Sequence, residues 1–198
     1  IQETVKLENR YLPVLSETEL YGIGADSEQW MENYEKYIIL EEAAKSALEA
    51  IRPINWNSSK QVVKVFKELG IHTEIVDKEK SYGDNISYKD SVQELHIAKY
   101  ATEFPLIKLY LKYKNLKKIT SSYGEKFLNH IHQVTGRIHS NFTQMVTTGR
   151  QASSTPNLQN IPKGKKGSGF RECFKPAEGY VFVISDYASQ ESRLIADV

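Results

Sequence analysis

Residues 181–198 read VFVISDYASQESRLIADV, an apolar run that leads to a carboxylate and then to a more polar stretch. The run from Tyr180 to Ser185 is apolar on both faces, which predicts a buried central β-strand. The residues after Asp186 predict the opening turns of a helix. At the end of a rigid strand, the Asp186 carboxylate could bind a metal ion, or it could cap the helix that follows. Local context alone favours the cap.

Size and composition indicate an ordinary globular protein of one large or two small domains. The chain has 198 residues, of which 40% are hydrophobic and 26% are charged. We expect no membrane partner, because no stretch approaches the roughly 18–20 apolar residues of a membrane span. The first residues lack the apolar core of a signal peptide. The single cysteine, Cys173, excludes a disulfide framework and favours a reducing, cytoplasmic location.

Charge is distributed unevenly along the chain. Residues 1–103 hold 12 lysines and arginines against 19 acids, residues 104–175 hold 13 against two, and residues 176–198 hold one against four. The net charges of the three blocks are therefore −7, +11 and −3. A basic block of this kind is typical of polyanion binding, and equally typical of a solvated lysine-rich face.

Helical periodicity dominates the chain up to about residue 132. Asp26 and Gln29 have the spacing of a capping box, which predicts a helix that ends before Pro53. Ser58 and Gln61 repeat that spacing and predict a second helix.

Further signals continue this helical half. Gly70 is expected to end the second helix, and residues 72–90 lack periodicity, which predicts a loop. Helices are expected to resume at Asp90, capped against Gln93, and at Pro105. The last helix is expected to face a core with Leu106, Leu109, Tyr110, Tyr113 and Leu116.

Strand periodicity appears after the turn signal Thr135-Gly136. Residues 137–142 alternate with period two, which predicts a strand. Residues 147–169 are rich in Gly, Ser, Thr, Pro and Asn, which predicts a loop. Together with the run at 180–185, these signals predict an α+β fold with a helical half followed by a β-containing half.

The segment TGRQASSTPNLQNIPKGKKGSGFRECF, residues 148–174, is rich in hydrogen-bonding side chains. Its Arg, Ser, Thr, Asn and Gln side chains can bind phosphates and minor-groove acceptors, and its glycines allow close approach of a ligand. A plain surface loop has a similar composition.

Three motifs resemble those of family A DNA polymerases, the DNA polymerase I type. They are TGRQASSTPNLQNIP at 148–162, FRECF at 170–174, and DYASQESR at 186–193, which matches the family's motif A. Other stretches agree in order with the family's thumb and palm base, so the resemblance covers nearly the whole chain. It implies a palm-base helix or linker at 1–26, a helical thumb at 27–132, and a partial antiparallel palm sheet at 133–198 that is cut in the helix after motif A.

The resemblance also implies a DNA polymerase that extends a primer 3′-end with deoxynucleotides in replication or repair, by two-metal phosphoryl transfer. Asp186 and the backbone carbonyl of Tyr187 would bind Mg²⁺, as half of the ligands of a two-metal site. Glu191 would select against a ribose 2′-hydroxyl. Arg193 would help to order the site near the primer end.

Other positions are implied to hold primer-template DNA. Arg150 would test minor-groove acceptors at the primer terminus, and Arg171 would bind a phosphate. The remaining implied DNA contacts are Asn157, Gln159 and Asn160 in the polar segment, and Lys114, Lys117 and Lys118 in the thumb.

Departures from the family limit these expectations. The middle of motif A differs and suggests a phage-type member, so a bacterial or phage-infected cell is the expected setting. The fingers helix that binds deoxynucleoside triphosphates, and the second catalytic aspartate, would lie after Val198. We therefore expect this chain alone to be inactive and the remainder of the polymerase to be supplied in cis or in trans. The alternatives are a non-catalytic primer-template binding module and one subunit of a split polymerase.

Overall fold

The structure is a computed structural model that describes residues 2–82, 85–147, 149–162 and 169–196. Its helices are α1 (Gln2–Tyr21), α2 (Ser27–Ile51), α3 (Ser59–Glu68), α4 (Glu94–Ile97), α5 (Pro105–Ser122), α6 (Glu125–Leu128) and α7 (Gln190–Ala196), with a 3₁₀ turn at Ala98–Tyr100. Its strands are β1 (Ile23–Ala25), β2 (Glu74–Val76), β3 (Tyr88–Asp90), β4 (Arg137–Ile138), β5 (Asn141–Thr143), β6 (Ala152–Ser154) and β7 (Phe174–Lys175). The predicted α+β fold class is confirmed, and the strand pairs among the described residues are all antiparallel.

The described chain divides into two compact units. Residues 27–129 form one unit, which is mainly helical. Residues 1–26 and 130–198 contribute the other unit, which contains most of the strands. None of the described helices is both long and apolar enough to cross a membrane.

Helix α5 supplies one side of the core of the helical unit. It begins at Pro105, as predicted, and its apolar residues recur every three or four positions. The buried side chains from this helix are Ile107, Tyr110, Tyr113, Leu116 and Ile119. The first four of these form one cluster with Leu48 of α2 and Phe66 of α3, both fully buried. Tyr110 is 2% exposed, and this burial raises the pKa of its hydroxyl to about 12.

The end of α3 has the hydrogen bonds of a Schellman motif. The Ile71 N–H donates to the Phe66 carbonyl at 2.9 Å, and the Gly70 N–H donates to the Lys67 carbonyl at 3.0 Å. Gly70 has φ +76°, a left-handed conformation that favours glycine. The prediction that Gly70 ends this helix is confirmed.

The start of α3 differs from the predicted capping box. The Ser58 side chain makes no capping hydrogen bond. The Ser58 N–H, which Gln61 would have to bind, instead donates to the Asn55 carbonyl at 2.9 Å. Gln61 Oε1 accepts the Asn55 N–H at 2.7 Å, so it stabilises the turn before the helix.

The predicted loop at 72–90 is only partly irregular, because β2 and β3 pair as an antiparallel hairpin with Glu74 opposite Asp90. The predicted helix start at Asp90 is wrong for the same reason. Asp90 ends β3, and its carboxylate accepts hydrogen bonds from Thr73 Oγ1 at 2.5 Å and Lys67 Nζ at 3.0 Å. Helix α4 starts later, at Glu94.

The second unit contains a three-stranded sheet of order β4-β1-β7. The predicted strand at 137–142 is divided, because β4 pairs with β1 whereas β5 pairs with β6. Strand β6 lies inside the predicted loop at 147–169, which is therefore only partly irregular. Gly22 has φ +61°, and a Cβ there would lie 2.6 Å from the Ile138 carbonyl oxygen, so this junction of α1 and β1 favours glycine.

The predicted buried strand at Tyr180–Ser185 is wrong for this chain. These residues belong to no strand, and Val183 and Ile184 are 89% and 90% exposed. A strand needs a neighbour for its N–H and C=O groups, and among the described residues none pairs with this run. Apolar sequence alone is therefore not enough to form a strand here.

Candidate nucleic-acid interface

The polar loop that begins at Gly149 is held by its own side chains. Gln159 Oε1 accepts the Ser153 N–H at 3.1 Å, and Gln159 Nε2 donates to the Gln151 carbonyl at 3.3 Å. Asn157 Oδ1 accepts the N–H groups of Gln159 and Asn160 at 3.0 and 3.2 Å. Asn157 and Gln159 are both predicted DNA contacts. Their hydrogen bonds to the backbone therefore define the shape of the polar loop, which includes strand β6.

Ser140, a buried residue, also stabilises this loop through hydrogen bonds. Its hydroxyl donates to the Pro156 carbonyl at 2.7 Å and lies 3.2 Å from the Ser154 carbonyl. Ser140 is 2% exposed, so this contact is shielded from water. The backbone of the loop is thus fixed before any ligand binds. Sequence reasoning missed Ser140, and its place between the two halves of the alternating run gave no signal of this role.

Arg171, the predicted phosphate contact, makes hydrogen bonds to the backbone of its own unit. Its Nε and Nη2 both donate to the Ile161 carbonyl, at 2.9 and 2.8 Å. Ile161 is buried. The two hydrogen bonds therefore link the end of the polar loop to the turn before β7. Residues 163–168, which link the two, lie outside the described residues.

Arg150 and Glu191 are brought into direct contact. Arg150 Nη2 donates to Glu191 Oε1, although the residues are 41 positions apart in sequence. Both side chains are largely exposed to solvent. Arg193 lies two residues further along α7, and its N–H donates to the Ser189 carbonyl at 3.0 Å. The start of α7 and the start of the polar loop therefore form one charged surface within this unit.

Asp186 is exposed and lies four residues before α7, so the prediction that it caps this helix is wrong. Tyr187 is exposed as well. In the described part of the chain, no group of three His, Cys, Asp or Glu side chains is arranged to hold a metal ion. A two-metal site needs carboxylates that bridge both ions. The described residues therefore do not form such a site by themselves.

The three predicted thumb lysines lie on α5 but differ in their surroundings. Lys114 and Lys118 are exposed along a groove of about 670 Å³ that Gln93 and Asn115 also line. Lys117 lines the same groove, but it also forms an ion pair with Glu41 of α2, with Nζ 3.1 Å from Oε1. The hydrogen bond to Glu41 raises the pKa of Lys117.

Glu41 is the charged residue that sequence reasoning missed. Its side chain is 12% exposed, and Oε2 accepts a hydrogen bond of 2.5 Å from the buried Thr120 hydroxyl. The signal was present in the sequence, since Glu41 lies three residues after Ile38 and three before Ala44 on the apolar stripe of α2. A carboxylate on such a stripe requires a buried partner.

Comparison with known proteins gives the family. The family model described as DNA polymerase family A matches residues 27–198. DNA polymerase I of Pseudomonas aeruginosa is 32% identical over 198 residues, which cover 96% of this chain and 21% of that protein. Thermostable DNA polymerase I of Thermus filiformis is 37% identical over 147 residues, which cover 73% of this chain and 17% of that protein. The chain belongs to DNA polymerase family A, and it spans about one fifth of the length of these curated relatives.

A solved structure shows the same fold. It is the POL domain of Pol1 from M. smegmatis, in complex with DNA primer-template and dNTP. The TM-score is 0.67 and the sequence identity is 26%, and the match covers 91% of this chain and 33% of that chain. The resemblance stated from the sequence motifs is confirmed.

Proposed function

We propose that this chain is part of a DNA-directed DNA polymerase that extends the 3′-end of a primer with deoxynucleotides. The observation that carries the proposal is the family match over residues 27–198, joined to the structural likeness with a polymerase domain in complex with primer-template and dNTP. The predicted thumb, residues 27–132, would correspond to the helical unit at 27–129, and the polar loop with the motif A segment would belong to the palm.

Two surfaces would contact the primer-template. In the helical unit, the exposed Lys114 and Lys118 would bind the phosphate backbone, with an affinity that falls as salt is added. In the other unit, Arg150 would read minor-groove acceptors, which every base pair offers. Support for this role comes from the hydrogen bonds of Asn157 and Gln159, which hold the loop beside Arg150 in one shape. A loop that is already ordered loses less entropy on binding.

The structure favours positioning roles for two residues that were predicted to contact DNA. Arg171 would hold the end of the polar loop through the Ile161 carbonyl, and Lys117 would hold α5 against α2 through Glu41. Asn160 remains a proposed DNA contact, and Arg193 a proposed contact near the primer end. Glu191 remains the proposed selector against a ribose 2′-hydroxyl.

A divalent-metal requirement belongs to the proposal for the whole protein. Asp186 and the Tyr187 carbonyl would contribute to a Mg²⁺ site in which further carboxylates must take part. The metal would supply electrostatic stabilisation of phosphoryl transfer. Because the described residues do not build that site, no catalytic step is assigned to this chain alone.

Binding of a fluorescent primer-template duplex to the 198-residue chain tests the DNA contacts. We expect affinity that falls steeply with salt, because counterions are released from the phosphates. The double substitution Lys114→Gln/Lys118→Gln should weaken binding and reduce the salt slope by about two. The matched control is the double variant Lys36→Gln/Lys45→Gln, which changes two exposed lysines of α2. Equal loss in both double variants would contradict a specific contact surface on α5.

Primer extension tests the catalytic part of the proposal. With Mg²⁺, primer-template and deoxynucleotides, the pure chain should add no nucleotide, because its described residues do not form a two-metal site by themselves. Sustained extension by the pure chain, abolished by Asp186→Ala, would contradict this expectation.

One observation favours completion by the remainder of the polymerase, in cis or in trans, over a self-sufficient DNA-binding module. The exposed apolar run at 181–184 has no strand to pair with among the described residues. Extension activity that appears only when a second polypeptide is mixed in would support a split enzyme. Salt-dependent duplex binding that survives Asp186→Ala, with no activity under any mixing, would support a non-catalytic module.

A further inference from the structure

Glu191 and Arg150 are two proposed site residues that already bind each other. Arg150 follows Gly149, which has φ +68°, at the start of the polar loop. Glu191 lies in the first turn of α7. Their side chains are 76% and 78% exposed, so little besides the ion pair itself holds either of them. Each is therefore free to exchange its partner.

The two roles proposed for these residues conflict while the ion pair is intact. A guanidinium that donates to a carboxylate has fewer N–H groups left for the acceptors of a base pair. The carboxylate itself would also lie against the negative charge and the acceptor atoms of DNA. Because like charges and facing acceptors repel, DNA and Glu191 exclude each other at Arg150.

We propose that Glu191 is an intramolecular competitor of DNA for Arg150. In the DNA-free chain the carboxylate neutralises the arginine, and duplex binding exchanges that carboxylate for nucleic-acid acceptors. This inference rests on the proposed function, in which Arg150 contacts the primer terminus. It gives Glu191 a role in DNA affinity that is separate from selection of the sugar.

The strength of the ion pair sets the size of the effect. An exposed ion pair changes an equilibrium by at most about fivefold, and salt screens it. Helix α7 buries none of its described side chains, so packing does not fix Glu191 in place. The competitor is therefore weak enough for DNA to displace, yet strong enough to be measured.

The test is a double-mutant cycle on the full 198-residue chain, read as the dissociation constant for a fluorescent primer-template duplex. The proteins are wild type, Glu191→Gln, Arg150→Gln and the double variant, at about 50 mM and about 300 mM salt. At low salt, Glu191→Gln should bind the duplex about two- to fivefold more tightly than wild type. In the Arg150→Gln background the same change should give no gain, and at high salt the gain should shrink. Circular dichroism checks that all four proteins are folded.

The control is Glu178→Gln, which removes an exposed carboxylate of the same unit that makes no ion pair in the described part of the chain. A gain equal to that of Glu191→Gln would mean general charge repulsion and would overturn the proposal. A gain from Glu191→Gln that persists in the Arg150→Gln background would also overturn the proposal. The absence of any gain, in a chain that binds duplex, would overturn it as well. If wild type binds no duplex at any salt, the proposed DNA contacts are wrong, and the proposed competition by Glu191 is wrong as well.

Discussion

Glu41 is a carboxylate that the fold nearly encloses. Lys117 neutralises its charge, and Thr120 donates to its second oxygen. A buried carboxylate without such partners would be strongly destabilising, whereas a paired one is tolerated. The same three residues join α2 to α5, so this polar contact also fixes how the two helices pack.

Substitution of Lys117 tests this contact. Lys117→Met should lower the free energy of unfolding by about 1–2 kcal/mol, because it leaves the Glu41 carboxylate without its cation. The expected loss is smaller than for a fully buried pair, since Lys117 is 44% exposed and partly screened by water. Urea unfolding measures the change, with Lys118→Met as the control at about 0.5 kcal/mol or less. Similar losses in both variants would contradict a special role for Lys117.

The pH dependence of this contact has a defined sign. The folded-state pKa of Lys117 is raised above the ordinary value of 10.5 by the hydrogen bond to Glu41. Its contribution to stability is therefore complete below pH 10.5 and is lost as pH rises through the folded-state pKa.

At the scale of single elements, the β2–β3 hairpin has two charged contacts. The Lys89 ammonium donates to Asp77 at 2.9 Å and lowers the pKa of that carboxyl. Thr73 and then Lys67 donate to Asp90 and lower its pKa in the same way. Two short strands bury little apolar surface, so such contacts matter more here than in the helical core.

Acidification should therefore loosen the hairpin. Both carboxyls have folded-state pKa values below the ordinary 3.8. Their contribution to stability is present above pH 3.8 and is lost as pH falls through the folded-state values. Amide exchange in residues 74–76 and 88–90 should rise over that window. The double variant Asp77→Asn/Asp90→Asn should flatten the response, whereas Glu103→Gln should not. An unchanged response in the double variant would contradict this account.

At the scale of the whole molecule, the apolar run at 181–184 stands out because its side chains are largely exposed to solvent. Val181, Val183 and Ile184 are each at least 80% exposed, and Phe182 is about half exposed. Exposed apolar backbone without a paired neighbour is a template for association with another strand. The run at 181–184 is therefore available to a partner in this structure.

Self-association of the pure chain follows from that exposure. Sedimentation equilibrium should show concentration-dependent association, and Val183→Lys/Ile184→Lys should shift the chain toward monomer. Met145→Lys, at a side chain that is 93% exposed and lies outside the run, should change little. A wild-type chain that remains monomeric at high concentration would contradict the prediction.

Local signals were enough for much of the helical unit. Pro105 and Gly70 mark a helix start and a helix end because a fixed φ and a left-handed φ are properties of those residues themselves. The same local reasoning was wrong at Asp90. Its carboxylate could cap a helix, but it binds Thr73, which lies just before β2, and Lys67 of α3. Neither partner is visible from neighbouring sequence.

The sequence by itself determined the α+β class and the family, because side-chain period and motif spacing are carried by the order of residues alone. Tertiary structure decided which polar groups are free. Lys117 is paired with Glu41, Arg171 with the Ile161 carbonyl, and Arg150 with Glu191, although all three basic residues were predicted DNA contacts. It also decided that the apolar run at 181–184 forms no strand here. A hydrogen bond or a strand pair needs a partner brought close in space, and no single stretch of sequence contains that partner.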